Sequence, residues 1–335
     1  MSPAGQTFEG TLEANGRSAR PARSTRRSEE TWLLHHRADR RQVAIVSGYV
    51  ALLFAMVLVP ACRNLGCLAL ACWLSFLNSV VIHNQMHKGI FKSRALNRAF
   101  RCALSFGSLY PASANIASHN IVHHHFDDDG QQDWAAPGIT SFRLPLLNLL
   151  HFPNVAGPRT FAGVSRWART TRQRDFRGQY HLEQAFAFGL TGALMLHDFW
   201  GTVFFVLVPQ LWGARGILRI NLIQHEGCDT TSEWNHSRNF VGRAFNWVMC
   251  NNGYHTIHHN RAGLHWSVLA EMHQREVTAR IDPALDERSM VVYLFRRFVL
   301  GRTHGKPVDR DAGRDVVLAS RAERRAEAEA EALAE

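Results

Sequence analysis

Polar ends flank a middle in which long apolar runs alternate with charged stretches. Residues 1–42 are rich in Arg, Ser, Glu and Gly, hold too few apolar positions to build a core, and lack the apolar stretch of a secretory leader. They read as a disordered basic cytoplasmic tail. Val43 to Ala61, VAIVSGYVALLFAMVLVPA, carries no charge and is long enough to cross ~30 Å of hydrocarbon at ~1.5 Å per residue. After the polar break Arg63-Asn64-Leu65-Gly66, a second run extends from Cys67 to Ile82, so the two predict a transmembrane hairpin. Two further spans are expected near residues 182–198 and 200–222, the second carrying Arg215 and Arg219 toward its end. Leu96 to Ser118 and Phe142 to Val155 are also apolar, but Arg98, Arg101 and Pro111 in the first mark a helix lying in the interface, and neither is expected to cross. The expected architecture is an all-α integral membrane protein. Four transmembrane helices fall within a membrane domain over residues 43–280, topped by a cytoplasmic, histidine-rich cap. Residues 281–335 are expected to form a charged cytoplasmic tail, helical or disordered.

The mean hydropathy of −0.18 would suit a soluble protein, because the average hides this segregation. A formal net charge of +10 comes almost wholly from arginine, the only lysines being Lys88, Lys92 and Lys306. With membrane spans present, that charge suits anionic lipid or an acidic protein partner and not nucleic acid. Six cysteines show no C-x-x-C pair and lie mostly in or beside apolar stretches, which indicates neither a zinc ribbon nor a disulfide framework. Basic residues from Arg17 to Arg41, Lys88 to Arg101 and Arg159 to Arg177 flank the expected spans, and the short loop around Asn64, with Arg63 alone, lacks that bias. That bias places both termini in the cytoplasm. The abundance of arginine and alanine fits a GC-rich bacterial genome, hence a bacterial inner membrane.

Eight of the nineteen histidines fall into three clusters: His83-x-x-x-His87, His119-x-x-x-His123-His124 and His255-x-x-His258-His259. Residues three or four apart on a helix share a face, with Cβ atoms ~5–6 Å apart, so each cluster presents its imidazoles to one point. Neutral imidazole binds zinc, copper, nickel and iron. The first cluster follows two expected spans, no span separates it from the second, and two separate the second from the third. All three therefore reach the same face of the membrane, where so many buried imidazoles without a metal would leave donors and acceptors unsatisfied. Eight ligands exceed what one zinc takes, so two metals fit better. The H-E-x-x-H zinc motif is absent, as is the paired Glu-x-x-His signature of soluble di-iron bundles.

The segments HNQMHKGIFKSRALNRAF, HNIVHHHFDDD and NNGYHTIHHNRAGLHWSVLAEMH resemble the three histidine boxes of the membrane fatty acid desaturase superfamily, over roughly residues 43 to 275. The resemblance implies two iron ions held by His83, His87, His119, His123, His124, His255, His258 and His259. It adds His225, after the fourth expected span, as a ninth ligand and Asn221 as a candidate to hold a metal-bound water. His125 extends the second box beyond the family pattern, and His124 is the expected ligand of the two. Asp127, Asp128, Asp129 and Asp133 are candidates to accept hydrogen bonds from outer ring nitrogens. His236, His265 and His273 are read as flanking residues. The implied activity is O2-dependent introduction of a C=C bond into an acyl lipid or carrier-bound acyl chain. Its electrons would come from a separate donor, a ferredoxin or a cytochrome-type protein. Hydroxylation or ketolation of a carotenoid, alkane or other lipid is the alternative within the same chemistry. A metal-binding membrane protein without turnover is disfavoured, because the spans carry almost no polar residues for an ion path.

Overall fold

The computed structural model describes residues 31–125 and 133–302. The expected ligands all fall within these ranges, whereas Asp127, Asp128 and Asp129 lie outside the described residues, as do most of both expected tails. Helix α1, Arg40–Leu58, and helix α2, Leu65–His87, form the expected hairpin. Asn64 starts α2 as its N-cap, its side chain accepting from the Cys67 N–H. Helix α3, Arg94–Ser108, is followed by a π-helical segment, Ile116–His123. Helix α4, Pro145–Thr170, helix α5, Arg174–His197, and helix α6, Phe199–His225, come next. Short helices α7, Arg243–Val248, α8, His255–Asn260, α9, Leu269–Glu276, and α10, Met290–Leu294, complete the order. Strands β1, Asn239–Phe240, and β2, Asp286–Glu287, pair in parallel and tie the loop after α6 to the segment before α10.

Among the described residues, three helices are long and apolar enough to cross a membrane: Arg37–Leu58, Leu65–His87 and Phe199–His225. Three of the four expected spans meet that description. The remaining one corresponds to α5, which has the length but is interrupted by polar positions that include buried Gln179 and Glu183. The chain before residue 43 does more than lead into α1: Leu34 is buried and bridges to Phe91, and Asp39 is buried at the start of α1. Residues 281–302, expected as the start of a tail, pack against the body, with Tyr293 and Phe298 buried.

Small residues let α2 and α6 approach closely. A Cβ on Gly213 would fall 2.2 Å from Ser75 Oγ and 2.4 Å from its carbonyl oxygen, and one on Gly216 would meet the Phe76 ring at 2.7 Å. Helix α3 ends among α1, α2 and α6, where carbonyls of its closing turns accept from outside the helix. Side chains from three other helices meet them. Tyr49 Oη donates to Gly107 O at 3.0 Å, Asn78 Nδ2 to Leu104 O at 3.1 Å and Gln210 Nε2 to Phe106 O at 2.6 Å. On the far side of α3, Glu183 of α5 accepts from Ser113 N–H, Ser113 Oγ and Gln179 Nε2 at 2.6 to 2.8 Å, which fixes the loop leading into the π-helical segment. At the end of the bundle away from the histidines, Arg63 of the α1–α2 turn pairs with Asp198 of the α5–α6 turn at 2.6 Å.

Candidate metal centre

Four elements bring the histidines together. The end of α2 carries His83 and His87, the π-helical segment and its cap carry His119, His123 and His124, the end of α6 carries His225, and α8 carries His255, His258 and His259. The middle cluster needs its unusual winding. On an α-helix a fifth residue lies about 140° around from the first, so His119 and His124 would diverge. Here the backbone follows i→i+5 bonding, with His124 N–H donating to His119 O at 2.9 Å, and the three rings of the cluster face one side. On α8 the i, i+3, i+4 spacing does the same with ordinary geometry.

Two groups of four result. His83, His87, His119 and His258 form one, and His123, His225, His255 and His259 the other; within each, the ligand atoms lie within 4.8 Å of one another. The second and third boxes divide their residues between the groups. His124 stands against the first group, its Nε2 3.1 Å from both His119 Nε2 and His258 Nε2, and its ring stacks on His259 of the second group with centroids 4.4 Å apart. In the second group His225 Nε2 and His259 Nε2 lie 2.9 Å and 3.1 Å from His255 Nε2.

Hydrogen bonds on the outer side fix which nitrogen points in. His123 Nδ1 donates to Asp133 Oδ2 at 2.8 Å, His225 Nδ1 to the His236 carbonyl at 3.0 Å and His83 Nδ1 to Asn84 Oδ1 at 3.2 Å. Each bond occupies Nδ1 and leaves Nε2 as the nitrogen available to a metal, the arrangement by which outer partners orient metal-binding imidazoles. Asp133 itself is pushed up by burial, but the His123 ring and the Ala135 N–H outweigh that and hold its carboxyl below the usual range, so it is an anion at neutral pH. Burial first, and then neighbouring imidazoles, depress His119, His124, His255, His258 and His259 well below the usual 6.5. Their nitrogens are therefore neutral and able to donate a lone pair.

The residues fit a pair of metal ions. Imidazole nitrogens bound at ~2.0–2.1 Å to one ion lie no more than ~4.2 Å from one another, close to the observed spread. The buried Nε2 of His87 has no hydrogen-bond partner among the described residues, a costly state for a polar nitrogen and the one a cation relieves.

Asn221, one helical turn before His225, donates from Nδ2 to Ala135 O at 3.0 Å and so fastens α6 to the segment holding Asp133. Three flanking histidines have partners of their own: His236 Nε2 bonds Asn260 Oδ1 at 3.0 Å, His265 Nε2 bonds Asp39 Oδ1 at 3.0 Å and His273 Nε2 bonds Asp286 Oδ2 at 3.1 Å. Sequence reasoning missed Asn84 and Asp39. Asn84 Oδ1 also accepts from Asn252 Nδ2 at 3.1 Å, joining the first box to the loop before the third, and Asp39 also accepts from Trp266 Nε1 at 2.9 Å. The one available signal for Asp39 is an acid set between Arg37 and Arg40-Arg41, just where the first expected span begins.

Two adjacent histidine sets able to hold a pair of metal ions lie where the apolar helices α2 and α6 end. The chain matches the fatty acid desaturase family over residues 58–289 and belongs to it, which makes it an oxidoreductase and bears out the resemblance carried by the three boxes. Neither the curated proteins nor the solved structures include a match to it.

Proposed function

We propose that the protein is an O2-dependent desaturase that removes two hydrogens from adjacent carbons of a lipid acyl chain, with His83, His87, His119, His123, His124, His225, His255, His258 and His259 holding two irons. The observation that carries this reading is the division of eight of these imidazoles into two sets of four within a chain of this family. Two redox-active ions with dioxygen supply an oxidant able to attack an unactivated methylene, which no side chain does as an acid or base. The protein's own part is positional. Asp133 and the His236 carbonyl hold His123 and His225 by their Nδ1 protons, and the Asn84 amide holds His83 and, through Asn252, the approach to the third box. Asn221, one turn before His225 and anchored by its Nδ2 on Ala135 O, is the residue proposed to hold a water.

The reading includes four spans, with α5 as the fourth, both termini and the histidines on the cytoplasmic side of a bacterial inner membrane. The Arg63–Asp198 pair supports it, since it brings the α5–α6 turn level with the α1–α2 turn at the end away from the histidines. Electrons come from a separate acidic donor, ferredoxin or cytochrome-type. Lys88, Lys92, Arg94 and Arg98 are exposed next to the first box and suit its approach, complementary charge speeding encounter.

The test is the product. Membrane lipids of a host expressing the wild-type chain should contain a new acyl species two mass units lighter than its precursor, absent when His259→Ala is expressed at the same level. A product about sixteen units heavier, as hydroxylation gives, or about fourteen, as ketolation gives, or a change confined to carotenoids, would overturn desaturation.

A further inference from the structure

The last described helix exposes an apolar side. In a helix facing water, apolar residues turn toward the core and charges toward solvent. In α10 and the π-helical turn that continues it, Phe295–Val299, apolar residues lie on the outer side as well as the inner one. Val291 is 72% exposed, Val292 59%, Phe295 55% and Val299 59%. The two arginines of the same stretch turn to carboxylates: Arg296 pairs with Glu287, and Arg297 pairs with Glu226, the residue that follows α6. Leu144 and Leu150, at the start of α4, expose further apolar surface at 62% and 48%.

We propose that this helix is seated in the bilayer, lying in the plane of the leaflet on the histidine side, with Val291, Val292, Phe295 and Val299 among the acyl chains. Continuity with the spans argues for lipid as the occupant. Tyr293 and Phe298, on the inner side, pack in one cluster with Ile220 and Ile223 of α6, and Ile217 and Phe76 border it, so the outer side extends the surface of the helices that cross. Ten residues at ~1.5 Å each give ~15 Å, half of what a crossing needs, so the helix lies in the plane. The pairing of Arg296 and Arg297 with Glu287 and Glu226 lets the segment approach hydrocarbon without unpaired charge. This inference rests on the membrane spans and not on the reaction, and it moves residues 290–299 from a cytoplasmic tail to the membrane surface.

The test is photo-crosslinking of the full chain in vesicles of phosphatidylethanolamine and phosphatidylglycerol. A benzophenone amino acid replaces Phe295 or, in a second variant, Val292; the same replacement at Trp73, on the exposed side of α2, serves as the lipid-facing reference and at Glu271, exposed on α9, as the polar one. Irradiation should shift the mass of the peptide carrying either position by one phospholipid, as at Trp73 and unlike Glu271. A crosslink to a second copy of the chain, or no lipid adduct at both positions while Trp73 gives one, would overturn the proposal.

Discussion

His123 shows how a single bond sets the chemistry of a ligand here. Its Nδ1 proton is held by Asp133 at 2.8 Å, so its tautomer and ring orientation are settled before any metal arrives. Asp133→Ala should therefore leave the protein inserted but lower metal affinity by ~10–100-fold, as loss of such outer partners does elsewhere. Titration of the metal-free protein with Fe2+ checks this, and unchanged affinity would show that His123 is oriented by packing alone. The depressed histidines give a pH dependence with a definite sign. In the metal-free fold His119, His124, His255, His258 and His259 stay neutral well below 6.5, while the unfolded chain binds protons there. Between their folded values and 6.5 the unfolded state holds more protons, so stability is fully present above that window and is lost as pH falls through it. Thermal unfolding of the metal-free protein in detergent should show a midpoint that drops as pH is lowered below about 6.5. A midpoint flat across that range would contradict the neutral, desolvated state of these rings.

At the scale of elements, close approach and polar capping hold the bundle. Gly213→Leu would drive its side chain into the backbone of Ser75, where no flexible group can yield, and should destabilise the detergent-solubilised protein by about 1–3 kcal/mol. Gly48, which has nothing near its Cβ position, provides the control: Gly48→Leu on α1 should unfold close to wild type. Equal loss from both would mean that leucine at any helical glycine disturbs the protein, and that the α2–α6 contact is not special. The three histidine clusters were legible because their spacing is a covalent fact and helical periodicity converts it into a shared face. The π-helical winding was not, because nothing in HNIVHHH distinguishes i→i+4 from i→i+5 bonding, and this left open whether His124 or His125 turns inward. Nor did the spacing reveal that the second and third boxes each serve both groups, since that depends on how α2, α6 and α8 meet. The end of α3 was equally hidden: Tyr49, Asn78 and Gln210 sit in apolar runs, and their carbonyl partners exist only once the helices pack.

For the whole molecule, apolar length and composition single out three candidate spans among the described residues, while α5 is less apolar because it carries polar positions, Gln179 and Glu183 among them, whose partners lie on α3 and its following loop. Reporter fusions test the proposed orientation: a fusion after residue 64 should report the far side of the membrane, and fusions after residues 160 and 335 the cytoplasm. An external signal at 160 would require another crossing between the second and third boxes and would be incompatible with a shared histidine site. The central claim is that one chain holds two metal ions in two histidine sets, and the most direct measurement is metal content per chain, taken together with activity, on protein purified from iron-supplied cells. About two irons per active chain are expected from the two sets of four imidazoles, falling sharply when His87 or His259 is replaced by alanine. A single metal per fully active chain, or stoichiometric zinc with full activity, would contradict it.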